Sequence, residues 1–167
     1  ENYAALALNK DAVGAKIAAT NVTFDIKGDS KKAKNGAEDG EITIDGSTDG
    51  VAVNVAYIKS ESDYYYAYTS IEAAIEAAKA GETIVLIRDI TASNIITINK
   101  AITLDGNGKK LTSTAGRAIN VDCEGKVAIK NLTINASGER AINIIQKPAN
   151  VTIENVTATA ANYTVNV

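Results

Sequence analysis

At 167 residues with a formal net charge of −3, the chain is long enough for one substantial domain, or a domain with an appendage, and too acidic to favour a nucleic acid or an anionic membrane. Histidine is absent, which removes Ser-His-Asp and Cys-His nucleophiles, imidazole general acid/base chemistry and imidazole metal sites together. The single Cys excludes an internal disulfide, and no apolar run approaches a membrane span, so neither redox compartment nor membrane insertion can be argued from the residues.

Residues 1–67 show no constant period and read as an N-terminal β-rich segment or arm. ENYAALALNKDAVGAKIAAT (1–20) is Ala-rich and of helical composition but carries few caps, so its state stays open. NVTFDIK (21–27), EITID (41–45) and VAVNVAYI (51–58) alternate as strands, and GDSKKAKNGAEDG (28–40) reads as a charged, Gly-containing loop. Within DGSTDG (45–50), Asp45 and Asp49 take the first and fifth positions of a calcium loop, with Gly at the sixth. The twelfth position is Ala56 and strands flank the loop, so a hairpin connection is expected instead. The cluster Tyr64, Tyr65, Tyr66 and Tyr68 marks the junction with the next segment and suits an interface, with a sugar-stacking platform as the alternative.

The segment TSIEAAIEAAKAGETIVLI (69–87) predicts a helix followed by a strand. Thr69 and Glu72 have capping-box spacing, Ile71, Ala74, Ile75 and Ala78 share one face, and Gly81 stands where the helix would stop. Such a narrow apolar face suits a cover over the exposed end of a sheet.

From there the chain repeats itself. Ile96-Thr97-Ile98, Ile119-Asn120-Val121, Ile142-Asn143-Ile144 and Val165-Asn166-Val167 start 23 residues apart (119−96, 142−119, 165−142). Each places two β-branched residues around a polar one, the alternation of a strand with one buried face. Val127-Ala128-Ile129 returns as Val151-Thr152-Ile153, and Leu132-Thr133-Ile134 as Val156-Thr157-Ala158, with weaker first copies at Ile102-Thr103-Leu104 and Lys110-Leu111-Thr112. Three short strands per period match neither a leucine-rich repeat nor a propeller blade, which leaves a parallel β-helix of about four coils over residues 84–167. Asn131 and Asn155 are expected to stack at one bend, with Gly106-Asn107-Gly108 near the same bend in the first coil.

Taken together, SIEAAIEAAKAGETIVLIRDIT and KAITLDGNGKKLT resemble the opening of pectate-lyase-like right-handed parallel β-helix domains, most closely those of bacterial surface and secreted proteins. The resemblance covers roughly residues 68–167 and implies an all-β fold with a capping helix. It says little about activity, because this fold hosts lyases, hydrolases, adhesins and fibre proteins.

Paired carboxylates are the only plausible catalytic equipment, yet nothing in the repeat sets Asp105, Asp122 or Glu124 face to face across a bond. A lyase-like alternative, which the resemblance suggests, would use the stacked pair Arg117 and Arg140 with Asp122 or Glu139 holding Ca²⁺ against an acidic sugar. The simpler reading makes the two arginines solvated bend residues whose repulsion Glu139 relieves. Cys123 and Gln146, also 23 apart, suggest vertical neighbours, and a buried, unreactive thiol is expected rather than a thioester. Six Asn-x-Ser/Thr sequons, at Asn21, Asn131, Asn135, Asn150, Asn155 and Asn162, read as ordinary β-helix bend and outer-face composition.

The expectation is therefore a non-enzymatic extracellular or cell-surface structural or adhesive module, with no catalytic, cofactor or metal site. A self-polymerising subunit of a fibre or surface layer and a carbohydrate-binding or lyase-like domain are the alternatives. Its expected partners are other domains of a longer surface protein or identical subunits stacked head to tail, with a glycan as the alternative. A chain that starts at Glu1 without Met and stops inside a fourth copy reads as a processed form or excised fragment whose last coil something else covers.

Overall fold

The computed structural model describes residues 4–9, 11–25, 31–59, 67–145 and 150–167. Among these residues strands account for 53% and helix for 5%, arranged as a parallel β-solenoid of about 6 turns.

The turn count exceeds the four coils expected because the N-terminal segment is itself stacked in parallel. Its strands are β1 (Ala4–Leu8), β2 (Lys16–Ala19), β3 (Lys31–Asn35), β4 (Glu41–Ile44) and β5 (Val51–Val53). β1, β3 and β5 form one parallel sheet in that order, and β2 and β4 form another. Leu8, Ala33, Ala37 and Ile42 are the buried centre of this part. The Ala-rich start, whose state the sequence leaves open, forms strands, and one sequence expectation is overturned: β3 runs through the supposed loop 28–40. Neighbouring strands supply the hydrogen bonds that Ala and Lys would otherwise make within a helix, so tertiary pairing overrides propensity. Residues Val22–Asp25, expected as strand, are irregular, and Ile26 and Lys27 lie outside the described residues.

Next come β6 (Ala56–Ile58), β7 (Ala67–Tyr68) and α1 (Ile71–Ala77), paired or packed around the start of the regular repeat. The predicted helix ends earlier than its apolar face suggested, at Ala77, and its N-cap is Ser70 rather than Thr69. The Ser70 Oγ accepts the Ala73 N–H at 3.1 Å. Ile71, Ala74 and Ile75 are buried, and the helix lies against β6, β7 and a strand introduced below. Tyr68 is in β7, while Tyr64, Tyr65 and Tyr66 lie outside the described residues.

The regular repeat then runs β8 (Thr83–Leu86), β9 (Ile90–Ala92), β10 (Ile96–Ile98), β11 (Thr103–Asp105), β12 (Lys110–Ser113), β13 (Arg117–Val121), β14 (Lys126–Ala136), β15 (Arg140–Ile144), β16 (Asn150–Thr159) and β17 (Tyr163–Asn166). β10, β13, β15 and β17 stack as one parallel sheet, with Ile96 on Ile119, Ile119 on Ile142 and Ile142 on Val165. β14 is continuous through its bend, so its first half pairs β11 and its second half pairs β12, while β16 pairs along both halves. α1 rests on β10, and the antiparallel strand β6 covers the outer edge of β8.

The interior is a set of aliphatic columns, among them Ile84, Leu104 and Ile129, all fully buried. Burial of each such side chain is worth roughly 1.5–3 kcal/mol, and constant register lets every coil contribute in the same way. Tight coil spacing is enforced at Gly138, where an added Cβ would overlap the carbonyl oxygen of Ala115 in the coil before. The N-terminal part is tied to the first two regular coils by Arg88 and Lys109. Arg88 donates through Nε to the Asn54 carbonyl at 2.7 Å and through Nη2 to the Ala37 carbonyl at 2.8 Å. Lys109 pairs with Glu38.

Candidate functional site

The polar residues that suggest chemistry in the sequence fall into two ladders that run along the solenoid. The first lies on the β10–β13–β15–β17 sheet, where the central polar residue of each repeated tripeptide keeps its register. Asn143 donates through Nδ2 to Asn120 Oδ1 at 3.2 Å, and Asn166 does the same to Asn143 Oδ1 at 2.9 Å. Alternation predicts a wet face here, yet Asn120 and Asn143 are only 8% and 5% exposed. Each amide is bounded along the axis by the next, and Arg140 reaches in with Nη1 donating to Asn143 Oδ1 at 3.2 Å. A buried amide must find such partners or lose its solvation without return.

Arg117 and Arg140 are register partners, and Tyr163 follows Arg140 in the same column. The Arg140 guanidinium carbon stands 6.0 Å from the Tyr163 ring centroid, at the outer limit of a cation–π contact. The structure thus brings the two arginines together but does not bring them the acids a lyase-like site needs. Asp122 follows the far end of β13 from Arg117, about 16 Å away along an extended strand. Among the described residues no ion pair joins Glu139 to either arginine; its carbonyl instead accepts the N–H groups of Asn162 and Tyr163. Glu124 is exposed in the turn after β13.

The second ladder follows the bend of β14. Asn107, Asn131 and Asn155 all have left-handed backbone, with φ of +52°, +52° and +51°. Asn131 donates through Nδ2 to Asp105 Oδ1 at 3.0 Å, and Asn155 donates to Asn131 Oδ1 at 3.3 Å. Asp105 also accepts the Asn107 N–H at 2.9 Å, and its second oxygen lies 3.5 Å from Lys130 Nζ. Burial pushes the Asp105 carboxyl up, but the Asn131 amide, the Asn107 N–H and Lys130 together hold it below its ordinary value. A carboxylate held ionised by three donors is a poor proton donor or acceptor at neutral pH, and its geometry is that of a bend fastener.

A related bend recurs in the N-terminal part. Asn21 and Asp45 have φ of +55° and +51°, and the Asn21 N–H bonds Asp45 Oδ1 at 2.8 Å. Asp45 is therefore a corner residue, and Ser47 Oγ accepts the Asp49 N–H at 3.0 Å within the same turn. Among the described residues no three His, Cys, Asp or Glu side chains converge as a metal site. Cys123 is half-buried, with Sγ accepting the Gly125 N–H at 3.3 Å, while Gln146 lies outside the described residues.

The Asn131–Asn155 stack was legible from its spacing. The Asn120–Asn143–Asn166 ladder stood in the repeated tripeptides, but alternation alone gave no sign of its burial. The Arg88 junction left no sequence signal, since its partners are backbone carbonyls. No family model, curated protein or solved structure matches the chain.

Proposed function

We propose that this chain is a non-enzymatic structural or adhesive module of a bacterial surface or secreted protein, a stiff right-handed β-helix of the pectate-lyase-like kind that acts outside the cell. The observation that carries this reading is the mutual engagement of the polar side chains: Asn143 binds Asn120, Asn166 and Arg140, and Asp105 binds Asn131. Groups engaged in coil-to-coil bonds stiffen a rod and are not free to receive a substrate. In this reading α1 and β6 cover β10 and β8 at the N-terminal end of the regular coils, which removes most of the edge that would otherwise recruit other strands.

The test is incubation of the purified chain with polygalacturonate and other acidic polysaccharides, with and without Ca²⁺, following new unsaturated or reducing ends. No turnover is expected. Turnover abolished by Arg140→Ala would overturn the reading in favour of a lyase.

A further inference from the structure

The three strands that open the regular repeat differ in what lies beyond their leading edges. β8 is paired there by β6, and β10 lies against α1. β9 pairs only with β12 among the described residues, and beyond its other edge is an open cleft of about 300 Å³. That volume sits at the lower end of the roughly 300–1,000 Å³ of ligand pockets. One wall of the cleft is Thr69, Ile71 and Glu72; the other includes Asp89, Thr91 and Ser93.

The backbone of β9 gives the cleft its chemistry. Ala92 stands opposite Ser113, and its carbonyl accepts the Thr114 N–H at 3.0 Å, so the hydrogen-bonding groups of Ala92 face β12. Because these groups alternate along a strand, the N–H and C=O of Thr91 face the other way, into the cleft. A donor and acceptor at the edge of a sheet, here without a partner among the described residues, are the template on which an extended chain adds a strand. The lining charges are of one sign: Glu72 and Asp89 are present and no Lys or Arg is among the lining residues. Asp89 is partly offset by Lys110, whose N–H it accepts at 2.8 Å and whose Nζ lies 4.0 Å away; Glu72 has no ion-pair partner among the described residues.

We propose that this cleft docks an extended peptide segment bearing a basic side chain, which pairs with Thr91 as an added strand and sets its cation against Glu72. The hydroxyls of Thr69 and Ser93 supply further polar contacts, and Ile71 offers an apolar floor. A sugar meets neither the paired backbone groups nor the single-sign charge as well as an extended peptide does.

Phage-displayed random heptapeptides selected against the folded chain test this. Enriched sequences should alternate β-branched residues and carry a Lys or Arg, and the synthesised winner should slow exchange of the Thr91 amide at least tenfold. Thr91→Pro, tolerable because that N–H faces away from the ladder, should weaken binding at least tenfold. Glu72→Gln should weaken it about threefold for the basic peptide and leave a neutral analogue unchanged. Failure to enrich any sequence, enrichment without a basic residue, or protection that appears on β16 and β17 instead of β9 would each overturn the proposal.

Discussion

Ile142 is fully buried, whereas Val165, its register partner one coil further along the same column, is 42% exposed. The same step separates Ile129 from Ile153. Residues of one chemical kind in one column therefore differ in energetic weight by their level in the stack. Aspartate at Ile119, with coils on both sides, should cost several kcal/mol, about the penalty for burying an unpaired charge. The same change at Val165 should stay within about 1 kcal/mol, since water already reaches that position. Urea unfolding of both variants measures the contrast, and equal costs would mean that the register does not describe the core.

The corner at Asn131 combines a backbone and a side-chain contribution, and two substitutions separate them. Asn131→Ala keeps neither the tolerance for φ of +52° nor the bonds to Asp105 and Asn155. It should destabilise the protein by about 2–4 kcal/mol, the left-handed penalty added to the lost hydrogen bonds. Asn131→Gly restores the backbone freedom and should recover about 1 kcal/mol of that. If both variants unfold at the same denaturant concentration, the side-chain ladder alone holds the bend.

Arg88 joins two parts of the chain through two carbonyls, Asn54 and Ala37, that lie 34 and 51 residues away in sequence. Lysine keeps the charge but not the fork that reaches both oxygens. Arg88→Lys should cost about 1.5–3 kcal/mol, the range for hydrogen bonds to a charged group. The loss should appear first as faster amide exchange in β3, β4 and β5, with the regular coils unchanged. Uniform loosening of the whole chain would show that the junction does not separate two cooperative regions.

The regular coils were legible because the β10, β13, β15 and β17 strands recur every 23 residues with β-branched residues in the core columns. The N-terminal part hid the same architecture. Its paired strands are offset by 27 residues (31−4), 25 (41−16) and 18 (51−33), because the connections between them differ in length. Its columns also mix Leu6 with Ala33 and Val51, and Ala and Lys are weak strand signals. What survived in the sequence was the corner: Asn21-Val22-Thr23 repeats the pattern of Asn131-Leu132-Thr133 and Asn155-Val156-Thr157, and all three asparagines have positive φ. Of the candidate site, the Arg117–Arg140 stack followed from spacing. The separation of Asp122 from Arg117 required knowing where β13 begins and ends.

Asp105 gives the fold an acid-sensitive fastening whose sign can be worked out. Its folded-state pKa lies below the ordinary carboxylate value of 3.8, held there against burial by Asn131, Asn107 and Lys130. A depressed pKa means that the native state prefers the ionised form more strongly than the unfolded chain does. The contribution is therefore fully present above about pH 5, starts to fall as pH drops through the unfolded value near 4, and is gone once pH passes below the folded value. Asp105→Asn should cost about 1–3 kcal/mol at pH 7, the worth of hydrogen bonds to a charged acceptor. Once the pH has fallen below the folded value both proteins present a neutral side chain at the corner, so the gap between them should narrow as the pH drops from about 5 through the acid range. Denaturant titrations at a series of pH values below about 5 give the difference directly. A gap that stays constant would place the contribution of Asp105 in the shape of the corner rather than in its charge, and the acid limb of the stability curve would then have to come from other carboxylates.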